Sequence, residues 1–171
     1  MKDPKFKLRI LFVCLGNICR SPAAAAVFHK LLEERNLLHL FILDSAGTSG
    51  YHDGELADPR TRRVALSKGI EITHVSRRFK LSDFREFDFI YVMDNANLNA
   101  VSRMARTEEE KNKVSLFRKF ENQSLDLEVP DPYYGDTAAF ENVHQILSRA
   151  SSALLNHLLE NDRNLSSLSI K

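Results

Sequence analysis

The sequence has almost no net charge: 24 lysines and arginines against 23 aspartates and glutamates leave +1 over 171 residues. That removes bulk electrostatic attraction to nucleic acid or to an anionic membrane as a driving force, so any anion recognition must be local. There is no apolar run near the roughly 20 residues that span a bilayer, and no membrane association is expected. The opening Met1-Lys2-Asp3-Pro4-Lys5 is charged and leads into only a short apolar segment, too little for a secretory signal. The expected compartment is therefore the cytoplasm, where the chain's two cysteines should be reduced thiols rather than a stabilising bridge. No internal repeat, linker or metal-ligand cluster stands out, and no metal or other cofactor is expected. What remains is an ordinary globular composition, 43% hydrophobic and 27% charged, long enough for one domain with a real core. Length and charge leave the oligomeric state open, with a monomer or weak dimer expected.

Apolar periodicity supplies the framework. Leu8 to Val13 reads as a strand buried on both faces. Ser21-Pro22 opens a helix, with Ser21 suited to the N-cap and Pro22 to the first helical position. A second strand is predicted at Leu40–Leu43, followed by a long polar loop from Asp44 to Leu56. Asp58-Pro59 starts another helix, which stops at Gly69. Phe87 to Met93 and Val114 to Phe117 are the third and fourth strands, and Asp94-Asn95 and Thr107 cap short helices. A final helix runs from Thr137 to Leu159 with one apolar stripe. Strands alternating with helices predict an α/β fold. It is a single three-layer domain over residues 7–160, with a four-stranded parallel sheet covered by helices on both faces. Residues 161–171 are expected to be a loose polar tail. In such sheets sites form at the carboxyl ends of strands, which directs attention to Cys14–Arg20, Asp44–Gly54, Asp94 and the loop before Thr137.

The run Cys14-Leu15-Gly16-Asn17-Ile18-Cys19-Arg20-Ser21 carries the chemistry. A strand, a short loop and a helix N-terminus gather backbone N–H groups around one concavity, which favours a tetrahedral oxyanion. The phosphate-binding segment is thus Leu15, Gly16, Asn17, Ile18, Cys19 and Arg20. Gly16 is expected to take a conformation that a side chain would resist. Arg20 offers a planar fork that matches two phosphate oxygens. Cys14 lies where the amide dipoles and Arg20 stabilise a thiolate, beneath the bound phosphate and in line for attack. Ser21 is placed to donate to that thiolate, and Asn17 to bond back to the loop and hold its shape. A cysteine followed six places on by an arginine is weak evidence by itself; the preceding strand, the internal glycine and the Ser-Pro helix start give it weight. Three aspartates near the same rim, Asp44, Asp94 and Asp131, could each serve as a proton donor, with Asp94 read mainly as a cap. Asp131 sits before Pro132, Tyr133 and Tyr134, on a stiffened aromatic loop, and those tyrosines could wall a flat substrate ring.

Val13 to Ser21 resembles the signature of the low-molecular-weight protein tyrosine phosphatases, and Asp131-Pro132-Tyr133-Tyr134-Gly135 resembles that family's general-acid loop. The likeness runs from about Leu8 to Leu159. It implies a metal-independent two-step hydrolysis in which Cys14 attacks phosphorus, Asp131 protonates the leaving oxygen, and water then cleaves a phosphocysteine. Arg20 and the loop amides would hold the equatorial oxygens throughout. The resemblance also implies that Ser45 and His74 support Asn17 and that Tyr51 supplies a further ring wall. It makes a reversible disulfide between Cys14 and Cys19 under oxidation an expectation beside a plain packing role for Cys19. The implied partners are phosphotyrosine proteins or small aryl phosphates.

Two other functions share the loop. An arsenate reductase on the same scaffold would bind arsenate there but would need further cysteines downstream, and none follows Cys19. A non-catalytic phosphate-binding module or phosphoryl carrier would not need Asp131 with two flanking tyrosines.

Overall fold

The computed structural model of the protein describes residues 7–122, 124–161 and 165. Four strands form one parallel sheet in the order β2–β1–β3–β4, with β1 at Leu8–Cys14, β2 at Phe41–Gly47, β3 at Phe89–Val92 and β4 at Val114–Leu116. Helices α1 (Arg20–Glu34), α2 (Pro59–Ser67), α3 (Asp83–Glu86), α4 (Asn95–Met104), α5 (Glu108–Asn112) and α6 (Thr137–Asn161) surround it.

The period-two alternation of β1 sorts the core. Ile10, Phe12 and Cys14 face a cluster with Phe28 of α1, Phe41, Tyr91 and Leu147 and Leu154 of α6. Leu11 and Val13 face the other side, with Phe84 of α3, Phe87 and Val101 of α4. Phe12 is fully buried, its ring 5.9 Å from that of Phe28 and 5.0 Å from that of Phe117. Truncating such a side chain to alanine costs about 3–5 kcal/mol. Both faces of β1 are apolar because helices cover both, as a central parallel strand requires.

The chain leaves β1 to one side for β2 and later returns on the other side as β3, so the crevice at their carboxyl ends is the switch point of the sheet. Val13 pairs with Val92, which sets the loop after Cys14 beside the loop after Met93. The functional crevice is therefore fixed by topology before any side chain is considered.

Several local expectations are corrected. Strand β2 continues to Gly47, pairing Asp44 with Leu11 and Gly47 with Cys14, so the polar loop begins later than its composition suggested. The N-cap of α1 is Cys19; Ser21 lies inside the first turn with its hydroxyl turned to Cys14. Helix α3 has only four residues, too short for a periodic signal. The third strand is confined to Phe89–Val92. The fourth ends at Leu116 and passes into a 3₁₀ turn, Phe117–Phe120. Helix α6 extends to Asn161; of the predicted tail, residues 162–164 and 166–171 lie outside the described residues. No helix among the described residues is long and apolar enough to cross a membrane.

Candidate active site

Cys14 ends β1, and Arg20 begins α1. The loop between them is braced from three sides. Thr48 N–H donates to Cys14 O at 2.8 Å, Ser49 N–H to Leu15 O at 2.9 Å, and the Ser76 hydroxyl to Gly16 O at 3.1 Å. The end of β2 approaches so closely that a Cβ on Gly47 would lie 2.8 Å from Leu15 O, so no side chain fits there.

The left-handed residue of the loop is Asn17, at φ 55°, and not Gly16. Asparagine tolerates this region, and here its side chain explains why it stays there. Nδ2 donates to Ser21 Oγ and to Ser45 Oγ, each at 2.9 Å. Oδ1 accepts from Arg77 N–H at 2.9 Å and from His74 Nε2 at 2.8 Å. All four bonding positions of the fully buried amide are used. Because Oδ1 can only accept, the proton of His74 is on Nε2. Gly16 matters for a different reason: a Cβ there would stand 3.1 Å from Cδ2 of His52.

Cys14 is buried, with its sulfur 2.9 Å from the Ser21 hydroxyl and 3.3 Å from Asn17 N–H. Ser21 Oγ also lies 3.3 Å from Ala46 O. Its one proton can therefore serve the sulfur or the carbonyl. Cys19 is buried too, and burial pushes its thiol up to about 12, against a hydrogen bond from Thr61. It is a thiol at neutral pH. Both cysteines are free.

Arg20 is almost completely buried. Nη1 donates to Asp94 Oδ2 at 2.6 Å and to Val129 O at 3.1 Å, and Nη2 donates to Asp131 Oδ2 at 3.1 Å. Burial opposes the charge, but Cys14, Asp94 and Asp131 outweigh it and hold the guanidinium above its ordinary value. Asp94 does two things at once. Oδ1 caps α4 by accepting from Asn97 N–H at 2.7 Å, and Oδ2 takes Arg20. The capping half was legible from sequence; the arginine half depends on β1 and β3 being neighbours. Asp44 lies elsewhere, tied to Arg77 at 2.8 Å and 3.7 Å from His74 Nδ1.

The loop that carries Asp131 is anchored at its base. Arg118 Nη1 donates to Glu128 O at 2.7 Å, and Val129 N–H to Met93 O at 2.7 Å. Asp131 Oδ1 accepts from Tyr133 N–H at 3.1 Å, leaving Oδ2 for Arg20.

These parts enclose a cavity of about 280 Å³. Cys14, Leu15, Gly16, Ile18, Cys19 and Arg20 line it, with Asp131, Tyr133, Tyr134 and Tyr51 around its opening. Tyr133 is about one-third exposed, whereas Tyr51 and Tyr134 stand almost free in solvent. Asn17, Ser21, Ser45 and His74 lie behind the lining as a hydrogen-bonded support. Sequence reasoning passed over two lining residues, Ser49 and His52. The His52 ring lies 6.3 Å from that of Tyr133, and its Nδ1 is 2.8 Å from Glu55 Oε2. Its neighbour Tyr51 was the only available pointer. Among the described residues there is no group of three or more His, Cys, Asp or Glu side chains placed to hold a metal ion.

Chemically, the cavity offers a buried sulfur nucleophile, a cationic fork beside it and a carboxyl group at its mouth. Comparison with known proteins places the chain in one family. Residues 9–164 match the model of the low molecular weight phosphotyrosine protein phosphatase family. A low molecular weight protein-tyrosine-phosphatase of Streptomyces coelicolor is 45% identical over 149 residues, 86% of this chain and 91% of its own. The human low molecular weight phosphotyrosine protein phosphatase is 42% identical over 147 residues, 85% of this chain and 92% of its own. A crystal structure of a protein tyrosine phosphatase from Entamoeba histolytica superposes with a TM-score of 0.86 at 43% identity, covering 90% of this chain and 98% of that one.

Proposed function

The chain belongs to the low molecular weight phosphotyrosine protein phosphatase family, and we propose that it hydrolyses phosphotyrosine in proteins, and related aryl phosphate monoesters, through a phosphocysteine. Residues 7–160 are the catalytic domain in this reading. The observation that carries it is the meeting of Cys14, Arg20 and Asp131 around one cavity, with the Asp131 carboxylate 3.1 Å from the Arg20 fork.

The first step forms a bond from Cys14 Sγ to phosphorus and breaks the ester P–O bond. Asp131 gives its proton to the leaving phenolate oxygen, and the product alcohol departs. In the second step water attacks phosphorus, Asp131 takes its proton, the S–P bond breaks, and inorganic phosphate and the thiolate result. Ser21 donates to the sulfur while it is negative, which eases its departure in this second step. Arg20 and the loop amides hold charge that develops on the equatorial oxygens. The incoming phosphate takes the place on Arg20 that Asp131 occupies in the free protein, and the released carboxylate takes up a proton from water and then acts as the acid. Tyr133, Tyr51 and Tyr134 flank the entry where an aromatic ring would lie.

The finer readings follow from the same chemistry. A free thiol nucleophile suits a reducing compartment, which points to the cytoplasm. Cys19 is the resolving thiol for an oxidised Cys14 in this account. Turnover of p-nitrophenyl phosphate in the presence of a chelator, abolished in Cys14→Ser, tests the assignment. Absence of turnover by the wild-type protein would return the site to phosphate binding alone.

A further inference from the structure

Helix α2 begins at the wall of the cavity. Asp58 N–H donates to Ile18 O at 2.8 Å, and the Arg60 guanidinium lies 5.6 Å from the Tyr133 ring and 4.5 Å from that of Phe140. The charge of Arg60 is spent locally: Nε and Nη2 reach the two Asp58 oxygens at 3.0 and 2.8 Å. Thr61, Val64 and Ala65 form the buried face of this nine-residue helix, which turns Arg62 and Arg63 outward. Both are exposed, and neither guanidinium has an ion pair or hydrogen bond among the described residues. Leu66, one turn on, is 66% exposed beside them. Lys68 at the end of the helix is engaged by Glu141 at 3.5 Å. The loop that bears Tyr51 and His52 carries acid instead, with Asp53 and Glu55 exposed. The mouth is thus unevenly charged in a chain whose net charge is only +1.

We propose that Arg62, Arg63 and Leu66 form a docking surface for an acidic segment of the protein substrate, next in its chain to the phosphotyrosine held in the cavity. The proposal rests on the phosphatase reading above. Two adjacent guanidinium groups without partners repel each other, and a pair of carboxylates relieves this by bidentate bonds. The exposed Leu66 beside them accepts an apolar side chain from the same segment. Arg63 lies about 4.5 Å beyond Arg60 along the helix axis. An extended peptide advances about 3.3 Å per residue, so carboxylates a few residues from the phosphotyrosine come within reach. Attraction of this kind acts on encounter and on KM more than on the chemical step.

The test compares phosphotyrosine peptides that differ only in Asp and Glu against Asn and Gln at those distances, on either side, with p-nitrophenyl phosphate as the control. Wild-type protein should favour one acidic peptide by about three- to tenfold in kcat/KM at low salt. The preference should shrink at high salt, where exposed charges are screened. In R62E/R63E it should vanish or reverse, while turnover of p-nitrophenyl phosphate stays unchanged. Equal preference in the wild type and R62E/R63E would overturn the docking surface, as would a loss that extends equally to p-nitrophenyl phosphate. Loss of binding to phosphatidylserine vesicles in R62E/R63E, with the peptide preference intact, would assign this face to a membrane and overturn it too. Failure of the wild type to hydrolyse p-nitrophenyl phosphate at all is a different result, which removes the phosphatase reading itself.

Discussion

Arg20 Nη2 and Asp131 Oδ2 are 3.1 Å apart, so in the free protein the carboxylate assigned as the acid occupies the fork assigned to phosphate. Phosphate and Asp131 compete for one donor. Asp131→Asn should lower kcat for aryl phosphates by about 10²–10⁴-fold, the usual worth of a placed acid. The same variant should bind vanadate as tightly as the wild type or more tightly, because an anionic competitor has been removed. Steady-state kinetics with vanadate inhibition reads both; full turnover in the variant contradicts the assignment.

Asp94 joins that fork to the first turn of α4. Asp94→Ala should lose the cap, about 1 kcal/mol, together with the carboxylate that compensates a buried arginine. Asp94→Asn keeps a good cap and loses only the charge. In denaturant unfolding Asp94→Ala should therefore be the less stable of the two. Both should raise KM for p-nitrophenyl phosphate. A normal KM in Asp94→Asn would show that Arg20 needs no help from this side.

Asn17 couples the loop to Ser21, Ser45, His74 and Arg77. Asn17→Ala strands several buried polar groups, each at about 1–3 kcal/mol. Asn17→Gly suits the backbone, whose φ is 55°, but loses the same bonds. The two variants should be similarly destabilised in urea, by more than the strain that glycine relieves. Near-complete rescue by glycine would shift the explanation from the network to the backbone.

His74 makes stability depend on pH. Burial holds its pKa below the ordinary 6.5, against the pull of Asp44 and together with Arg77. The unfolded chain therefore takes up this proton at a higher pH than the folded protein does. Stability is full above about 6.5 and falls as pH drops from there toward the folded value. His144, also lowered mainly by burial, acts in the same direction. Urea unfolding at about pH 7.5 and about pH 5.5 should show the loss, and His74→Gln should lose less between those two values. An equal loss in the variant would place the effect on other groups.

The sequence made the framework legible where apolar runs are long. Leu8–Val13 could only be a buried strand, and the alternation of strands and helices implied the parallel sheet and its active rim. Asp44 to Gly47 was read as loop because Asp-Ser-Ala-Gly has no apolar pattern, yet it pairs with β1 along its length. Its small residues are what allow the phosphate loop to pack against it. Within the site, the residues named from Cys14 to Arg20 are contiguous in sequence, and Asp131 is marked by its aromatic neighbours. The second role of Asp94, the packing of His52 over Gly16, and the grip of Arg118 on the Asp131 loop each join residues far apart in sequence. No local pattern encodes them. Asn17 also shows that the residue with unusual backbone need not be the glycine beside it.

In the proposed mechanism phosphate passes through a covalent bond to Cys14. The direct test is rapid acid quenching of the wild type and Asp131→Asn during turnover of an aryl phosphate, followed by peptide mass spectrometry. Phosphate on the Cys14 peptide, enriched in the variant and absent in Cys14→Ser, is the predicted result. Turnover with no phosphocysteine in either protein, or continued turnover in Cys14→Ser, would contradict it.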